Sequence, residues 1–354
     1  MIRGIRESVH LVGLNRLSTT LPHVGKVVQR IREILLRLLS YKVTFTLIVF
    51  IILVLIFGSF TPRHVFMKSN NLGALAKLVP DLGIIAMGVG TLMICGEFDL
   101  SVGSIIPMSS FVFVKLLEWD VPLIFIPFAT LFTGALLGFL NGLLVVRTRI
   151  PSFIATLGTM MFWRGILYAS SRMMPIGTRA YLEPGTWLEN TLIGSMGGVF
   201  PVQILWFLFL AFVLGLVVHF HRFGNWVFAT GDNETAARAM GINTGMVKIV
   251  CFVIVGLLCS FMSMMQALRI ESFAATQGIG FELKAIASSV VGGTSLMGGI
   301  GSILGIFLGT LTIQILENGL ILMGAPVFGI NVFIGLGIVL FAVLNLYIER
   351  VAIR

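Results

Sequence analysis

Long apolar runs alternate with short polar breaks along most of the chain, starting at Val43. We interpret ten of these runs as membrane-spanning helices, which predicts an all-α polytopic membrane bundle. The third and eighth runs fall short of the roughly 20 apolar residues that a straight crossing needs. We therefore expect these two helices to be tilted, broken or re-entrant. The predicted spans are 43–60, 79–95, 104–117, 122–146, 152–170, 202–219, 247–268, 284–297, 300–322 and 327–346.

Two glycine strips recur at a spacing of four residues within this pattern. Glycine at every fourth position lets two helix backbones approach closely in lipid, so tight packing is the plainest expectation. Spans 2–5 and spans 7–10 form two sets of four helices, and each strip falls in the third helix of its set. The two sets would have inverted topology, as in many transporters. The strips are Gly134, Gly138 and Gly142, and Gly301, Gly305 and Gly309.

The overall composition leaves little material for a water-exposed shell. Of the 354 residues, 57% are hydrophobic and only 11% are charged, and the mean hydropathy is +1.03. A soluble domain carries roughly 25% charged residues. The composition therefore excludes a large soluble enzyme, and it also excludes a disordered or fibrous protein.

The net charge of +9 is unevenly distributed and indicates the orientation of the chain. Residues 1–42 hold eight of the 24 basic side chains and only two acids. If the amino terminus is cytoplasmic, the cytoplasmic segments collect 15 of the 24 Lys and Arg side chains, and ten crossings return the carboxyl terminus to the same side. We expect a basic cytoplasmic arm (1–42), a transmembrane domain (43–346) and a short cytoplasmic tail (347–354). The arm carries no nucleic-acid recognition motif, so we expect it to contact anionic lipid instead.

The first polar motif joins spans two and three. Its carboxylates, Glu97 and Asp99, lie beside a membrane span, where they are costly unless solvated or paired. Asp99 and Ser101 suit the cap of a helix that begins near Val102. One interpretation is a capped turn at the membrane surface. The other is a broken-helix element that lines a polar translocation path, with Ser104 on its first turn.

The second polar motif, residues 231–242, lies between spans six and seven. Asp232 or Asn233 can cap the start of a short helix, and Glu234 suits the positive end of its dipole. Gly241 fits the left-handed position that ends it. A helix of two turns is marginal alone, since isolated helices need about 12–15 residues. Either it packs on its own bundle, or it docks into a cytoplasmic partner and transmits motion.

The third polar motif covers residues 281–302. Glu282 and Lys284 lie at the external mouth of span eight, where they can pair with neighbours or meet a partner. The glycine-rich run 292–302 is either a tight turn or a close approach of backbone to the path. No strand–helix unit follows this run, so it is not a phosphate-binding loop. The side chains of this motif that could line a path are Glu282, Thr294 and Ser295.

Catalytic chemistry is not indicated by the sequence. There is no G-x-x-x-x-G-K-[ST] loop, so we do not expect this chain to bind and hydrolyse ATP by itself. The three cysteines fall in apolar segments without metal-ligand spacing, and we expect them to be buried thiols. A membrane-embedded enzyme is therefore a poor explanation of the chain.

Together and in this order, the three motifs resemble those of permease subunits of bacterial ABC importers for monosaccharides, of the ribose/xylose/arabinose/autoinducer type. Residues 97–104 are similar to the family's G-G-[IE]-D-L-S-V-G-S, and residues 231–242 to its G-x-N-x-x-A-A-x-x-x-G-I. Residues 281–287 and 292–302 are similar to its [YF]-E-L-x-x-I-A and G-G-T-S-L-x-G-G-x-G-S. The resemblance covers about residues 45–346. Cys95 departs from it, because the family has glycine there, and the basic arm is longer than the family needs.

The resemblance implies a transport subunit of the bacterial inner membrane, not an enzyme, with no cofactor of its own. The expected partners are a cytoplasmic ATPase that binds ATP and Mg, a periplasmic sugar-binding protein, and a second permease copy, identical or closely related. The residues placed at the ATPase are Gly231, Asp232, Asn233, Glu234, Ala236, Ala237, Arg238 and Gly241. The candidates for the translocation path are Glu97, Asp99, Ser101, Ser104, Glu282, Thr294 and Ser295.

Two alternatives to a monosaccharide importer stay open from the sequence. Permeases for branched-chain amino acids or nucleosides share the same bundle, although the D-L-S-V-G-S form favours a sugar. A proton-coupled secondary transporter could use Glu97, Asp99 or Glu317 as relay groups. Glu317 lies near the external end of span nine, where Arg269 or Lys284 could instead pair with it. A proton-coupled mechanism would leave the capped helix in residues 231–242 unexplained.

Overall fold

The computed structural model describes residues 42–197 and 200–326, together with residues 329, 332, 333, 335–337, 339–341 and 343. Over these residues the chain is mostly helical, with four two-residue strands. The predicted arm, apart from Lys42, and the predicted tail lie outside the described residues, as does much of the predicted span 327–346.

Twelve α-helices lie within the described residues 42–326, and six of them are long and apolar enough to cross a membrane: α1, α2, α4, α7, α10 and α12. The chain is thus a polytopic helical membrane bundle. The helices are α1 (Lys42–Phe60), α2 (Ser69–Ile94), α3 (Val102–Glu118), α4 (Ile126–Thr148), α5 (Ser152–Ser171), α6 (Trp187–Ile193), α7 (Val202–His219), α8 (Arg222–Asp232), α9 (Glu234–Ala239), α10 (Thr244–Ile270), α11 (Phe281–Val291) and α12 (Ile303–Leu322).

The third and eighth predicted spans are shorter than a bilayer crossing. Helix α3 has 17 residues and α11 has 11, or about 25 and 16 Å at 1.5 Å per residue, against about 30 Å of hydrocarbon. Both helices are thus short, as the sequence predicts. The predicted end of the eighth span at residue 297 is wrong, because the chain leaves the helix at Gly292 and Gly293, the latter with φ of +87°.

The predicted loop 61–78 is partly wrong. A 3-10 turn covers Pro62–Met67, and α2 begins at Ser69, ten residues before the apolar run. Asn71, Leu75 and Val79 are buried at intervals of four, while the residues between them are exposed or partly exposed. This first part of α2 is an amphipathic helix. Its polar face lowers the mean hydropathy of residues 69–78, so the predicted span began only at residue 79.

Helices α2 and α10 form the centre of the bundle. Every residue of α2 from Val79 to Ile94 is buried, and α10 packs against α2, α3 and α4. The glycine strip of α4 lies against α10, with Gly134 beside the backbone of Gly256 and Gly138 beside the backbone of Phe252. In the second strip, Gly305 and Gly309 of α12 pack in the same way against the backbone of Ser288 and Gly292 at the end of α11. The placement of Gly301 in the same helix is wrong, because α12 begins only at Ile303 and Gly301 lies against the side chain of Ile94. Tight packing, the plainest expectation for the strips, is confirmed.

The two ends of the bundle differ in structure. At the end where α9 packs beside the start of α10, called here the α9 end, the connections are short turns. At the opposite end, called here the cap end, the described residues between 172 and 201 form three strands, β1 (Ile176–Gly177), β2 (Ser195–Met196) and β3 (Phe200–Pro201), and helix α6. Strand β1 pairs antiparallel with β4 (Ser272–Phe273), and β2 pairs with β3 (Phe200–Pro201). Since α10 has 27 residues, the two ends lie about 40 Å apart.

Candidate functional site

Helix α9 has the two ends that the sequence predicts. Asn233 is its N-cap, and the side-chain oxygen accepts a hydrogen bond from the backbone N–H of Ala236 at 3.0 Å. Gly241 follows its end with φ of +84° and donates its N–H to the carbonyl of Arg238. The start of the predicted 231–242 segment is different from expectation, because Gly231 and Asp232 are the last residues of α8. Asn233 alone separates the two helices.

Helix α9 is attached to α10 through Glu234. This carboxylate accepts hydrogen bonds from Arg238 at 2.5 Å, from the hydroxyl of Thr244 at 3.2 Å and from Lys248 at 3.0 Å. Burial raises the pKa of Glu234, but the hydrogen bonds and charges of Lys248 and Arg238 outweigh it and keep the pKa below its usual range. Glu234 therefore stays ionised, and the short helix is held on its own bundle by a charged network together with the buried Ala237.

Lys248 connects this network to the first polar motif. Its Nζ lies 2.6 Å from Oε1 of Glu97 and 3.0 Å from Oε2 of Glu234, so one cation bridges two carboxylates that lie far apart along the chain. The Lys248 and Glu97 side chains are 14% and 11% exposed. A cavity of about 360 Å³ opens beside the bridge and is lined in part by Arg149 and Arg238. Sequence reasoning missed the bridging role of Lys248.

Three glycine-containing turns meet next to this bridge. Gly231 lies against the carbonyl of Ile94, and its Cα is close to Gly96 and Gly298. The N–H of Gly299 donates to the same carbonyl of Ile94 at 2.9 Å. A side chain at Gly231 would overlap that backbone, so only glycine fits there. The end of α8, the turn after α2 and the turn 292–302 thus touch backbone to backbone.

The first motif is a broken-helix element. From Glu97 to Leu100 the chain is neither helix nor strand, and it runs along α5, where the N–H of Phe98 bonds to Ser152 and the N–H of Leu100 bonds to Thr156, both at 3.0 Å. Helix α3 then begins at Val102, as predicted. In this non-helical segment Glu97, Asp99 and Leu100 are buried and Phe98 is partly buried, which excludes a simple capped turn at the surface as its whole description.

Asp99 forms the polar centre of this element. Its Oδ1 accepts bonds from the N–H and hydroxyl of Ser101 at 2.8 and 2.5 Å, and Asn141 of α4 donates to that hydroxyl at 2.6 Å. Asp99 Oδ2 and Asn141 Oδ1 are buried without a hydrogen-bond partner in the described part of the chain. Ser104 bonds only back to the carbonyl of Ser101. Asn141 is a second residue that sequence reasoning missed.

The third motif is divided between two depths. Thr294 and Ser295 are buried in the turn 292–302 at the α9 end, close to the glycine contact. Glu282 is buried at the other end of α11, beside Gly103 on α3. The structure therefore joins Glu97, Glu234 and the turn 292–302 in one region, and it places Glu282 apart from them.

Two further charged pairs lie within the bundle. Lys284 binds both oxygens of Glu317 at 2.8 and 2.9 Å, which is one of the two partners expected for Glu317. Arg269 instead binds Asp81 on α2. Asp81 is buried, and sequence reasoning did not single it out although it is an acid inside an apolar run.

Residues 71–344 match the family described as "Branched-chain amino acid transport system / permease component". The chain belongs to this permease family. The permease has no match among solved structures. The matched range includes the broken-helix element, α9 and the turn 292–302, so the whole candidate site lies within the part of the chain that matches the family.

Curated relatives of the permease are import permeases for several small molecules. It is 34% identical over 280 residues to the ribose import permease protein RbsC of Escherichia coli K12, covering 79% of this chain and 86% of that one. It is 30% identical over 297 residues to the xylose/arabinose import permease protein XylH of Sulfolobus acidocaldarius, covering 82% and 81%. It is 33% identical over 301 residues to the autoinducer 2 import system permease protein LsrC of Escherichia coli, covering 84% and 85%. The resemblance drawn from the three motifs is confirmed.

Proposed function

We propose that this permease is the membrane subunit of an ATP-driven importer and translocates a monosaccharide delivered by a periplasmic binding protein. The observation that carries the proposal is the tie between α9 and the broken-helix element. A six-residue helix is too short to be stable alone, yet α9 is capped at both ends and bound through Lys248 to Glu97. An ATPase that grips α9 would move Glu97 and the non-helical segment 97–100 with it.

The basic residues support a cytoplasmic location for the α9 end. Arg147, Arg149, Arg222 and Arg238 all lie at this end, outside the apolar helices or at their last turns. Positively charged loops stay on the cytoplasmic side of the membrane. The cap end then faces the periplasm, where a binding protein would dock, and both termini are cytoplasmic. ATP and Mg belong to the ATPase in this arrangement, and this chain needs no cofactor.

Helix packing supports the inverted repeat. The first helix of one set, α2, packs against α11 and α12, and the first helix of the other, α10, packs against α3 and α4. Each set therefore contacts the other in the same way, which an inverted pair of repeats produces. A second permease copy, identical or closely related, would complete the translocation path, with Asp99, Ser101 and Ser104 as candidates for its polar lining.

A sugar is favoured over the other solutes of this permease group. Two of the relatives carry ribose and xylose/arabinose in their names, and the D-L-S-V-G-S form of residues 99–104 agrees with them. Branched-chain amino acids and nucleosides are the next candidates.

Transport in proteoliposomes tests the proposal. The permease is reconstituted with its cognate ATPase and binding protein, and uptake of labelled D-ribose, D-xylose and L-arabinose is measured together with ATP hydrolysis. We expect uptake to require ATP and to survive collapse of the proton gradient. Uptake by the permease without any ATPase, or uptake that stops with the gradient while ATP persists, contradicts the proposal and favours a proton-coupled transporter.

Two substitutions in the same assay test the role of α9. Glu234→Lys breaks the network to Lys248, and Gly241→Pro removes both the left-handed residue and its N–H. We expect both variants to insert normally and to lose the link between ATP hydrolysis and uptake. A wild-type ratio in both α9 variants would rule out coupling through this helix.

A further inference from the structure

A polar cavity lies at the α9 end of the bundle, between α9 and the connection from α4 to α5. Its volume is about 360 Å³, and a cavity needs only about 10–15 Å³ to hold one water molecule. Arg149 lines it, at the left-handed residue that ends α4. Within the described residues the guanidinium of Arg149 forms no ion pair and no hydrogen bond. The cavity therefore has room for a side chain, and a cation on its wall is available to bind that side chain.

Arg238 and Lys248 also line the cavity, and both are held in place by the network around Glu234. Arg238 donates from Nε to Thr244 at 2.8 Å and from Nη2 to Glu234 at 2.5 Å, which leaves its Nη1 without a partner in the described part of the chain. Lys248 binds two carboxylates, Glu97 and Glu234, and an ammonium group has three donors. Each of the two cations thus keeps a donor in reserve.

The cavity wall carries more positive than negative charge. Three cations and two carboxylates line it, and both carboxylates, Glu97 and Glu234, already bind cations. The groups left over are therefore hydrogen-bond donors on Arg149, Arg238 and Lys248. A carboxylate meets this demand, because it only accepts hydrogen bonds and can bind the fork of a guanidinium through both of its oxygens.

The position of the cavity indicates the ATPase as the source of this carboxylate. Glu234 and Arg238 of α9 form part of its wall, and α9 is the helix that the ATPase grips in the proposed function. Pro151, on another part of the wall, precedes Ser152, whose hydroxyl accepts a hydrogen bond from the N–H of Phe98. A side chain held in the cavity would tie the ATPase to α5 as well as to α9, and both helices hold the broken-helix element.

We propose that this cavity receives an aspartate or glutamate side chain of the ATPase, held by Arg149 together with the unused donors of Arg238 and Lys248. This inference rests on the proposed function, because it takes as the partner an ATPase that lies against α9. The carboxylate gives the ATPase a second attachment, on the connection from α4 to α5. The attachment is ionic, so its strength falls as the salt concentration rises.

Binding of the purified cognate ATPase to the permease in phosphatidylcholine nanodiscs tests this attachment. Phosphatidylcholine carries no net charge, so no anionic lipid is present to compete for the cavity. We expect Arg149→Gln to raise the Kd of the ATPase about tenfold, because a hydrogen bond between charged groups is lost, and Arg149→Glu to raise it further. At 1 M salt, where the Debye length is about 3 Å, the difference from the wild type should shrink to less than about twofold.

Two further variants separate ionic binding from folding. Arg147→Gln removes an exposed arginine of the last turn of α4 that does not line the cavity, and it should leave the Kd within about twofold of the wild type. Arg149→Gly removes the same guanidinium as Arg149→Gln, and glycine suits the left-handed backbone at this position. Its fold should be retained, and its Kd should rise as in Arg149→Gln.

Chemical coupling identifies the acid on the ATPase. Arg149→Lys places a primary amine at the cavity, and a water-soluble carbodiimide activates a nearby carboxyl group. The amine attacks the activated carbonyl carbon and the carbodiimide leaves as a urea, so that an amide bond joins the two chains. Mass spectrometry of the joined peptides should show position 149 linked to an Asp or Glu of the ATPase. Replacing that acid by Asn or Gln should raise the Kd as Arg149→Gln does, and the two changes together should give no further rise.

Several results would overturn the inference. They are a Kd of Arg149→Gln and Arg149→Gly that matches Arg147→Gln, additive effects of Arg149→Gln and the change in the coupled acid, and no coupling of position 149 to the ATPase. An effect of Arg149→Gln that appears only after phosphatidylglycerol is added would assign the cavity to anionic lipid and also contradict it. All of these results leave binding of the ATPase to the wild type intact, so they refute this inference alone. Failure of the wild-type permease to bind the ATPase refutes the proposed function instead.

Discussion

Replacing Lys248 by methionine tests the bridge between α9 and the broken-helix element. The change keeps the length of the side chain and removes the cation that Glu97 and Glu234 share. Glu234 keeps its bond to Arg238 and is 35% exposed, so it is little affected. Glu97 is 11% exposed and loses its cation. Removing one partner of a buried ion pair costs about 3–5 kcal/mol, and the residual exposure here favours the lower end, about 3 kcal/mol.

Chemical unfolding in mixed micelles measures this loss, with Lys77→Met as the matched control. Lys77 is an exposed lysine on α2, and its replacement should change the free energy of unfolding by less than about 0.5 kcal/mol. The double variant Lys248→Met/Glu97→Gln should be less destabilised than the sum of the single variants by about 1–3 kcal/mol, because the unpaired carboxylate is gone. In the reconstituted importer, Lys248→Met should also lower uptake per ATP hydrolysed.

Two outcomes would refute the reasoning about Lys248. If Lys248→Met is no more destabilised than Lys77→Met, the bridge contributes no more than an exposed surface pair. If the effects of Lys248→Met and Glu97→Gln are additive, the two residues do not interact energetically. In either case the motion of α9 would have to reach the broken-helix element through the glycine contact alone.

Two further predictions concern packing and pH. Gly256→Ala places a methyl group on the carbonyl of Gly134 and should destabilise the protein by about 1–3 kcal/mol. This loss is measured as a lower temperature of the thermal transition. Gly158 has open space around it, so Gly158→Ala should leave the transition temperature unchanged. Hydrogen bonds from Arg179 lower the pKa of Glu189 from its usual 4.5. The stabilisation that these bonds give to the folded protein is therefore complete above pH 4.5, and it is lost as the pH falls through the lowered pKa of the folded state. The rate of amide hydrogen exchange in α6, corrected for intrinsic rates, should therefore rise on acidification of the wild type. In Glu189→Gln the exchange should already be fast near neutral pH. Equal protection of the α6 amides in both proteins would contradict this.

The features that the sequence predicts well are those set by neighbouring residues. Asn233 and Gly241 define the ends of α9, because caps and left-handed stops depend on a few adjacent positions. The start of α3 at Val102 was also predicted, but the predicted side-chain cap is wrong: Ser101 occupies the N-cap position, and its hydroxyl bonds to Asp99 and Asn141 instead of to a backbone N–H of the helix. The amphipathic start of α2 was missed because a mean hydropathy averages the polar face with the apolar face, so the segment does not stand out as a helix.

The partners of the polar side chains could not be derived in this way. Lys248 and Glu97 are brought together only by the packing of α10 against α2 and α3, and Arg164 meets Gly103 only because α5 packs on α3. A usable signal was nevertheless present. Asp81, Arg164 and Lys248 are each an ionisable residue within a predicted span, and such a residue implies a buried partner or a function.

The meeting of Gly231, Gly96 and Gly299 has a mechanical consequence. Side-chain contacts can absorb a small displacement by switching rotamers, but main-chain atoms in direct contact have no such freedom. A displacement of α8 therefore has to displace the backbone of both neighbouring turns as well. For the same reason no larger residue fits at this contact, since even one methyl group at Gly231 would push the three segments apart.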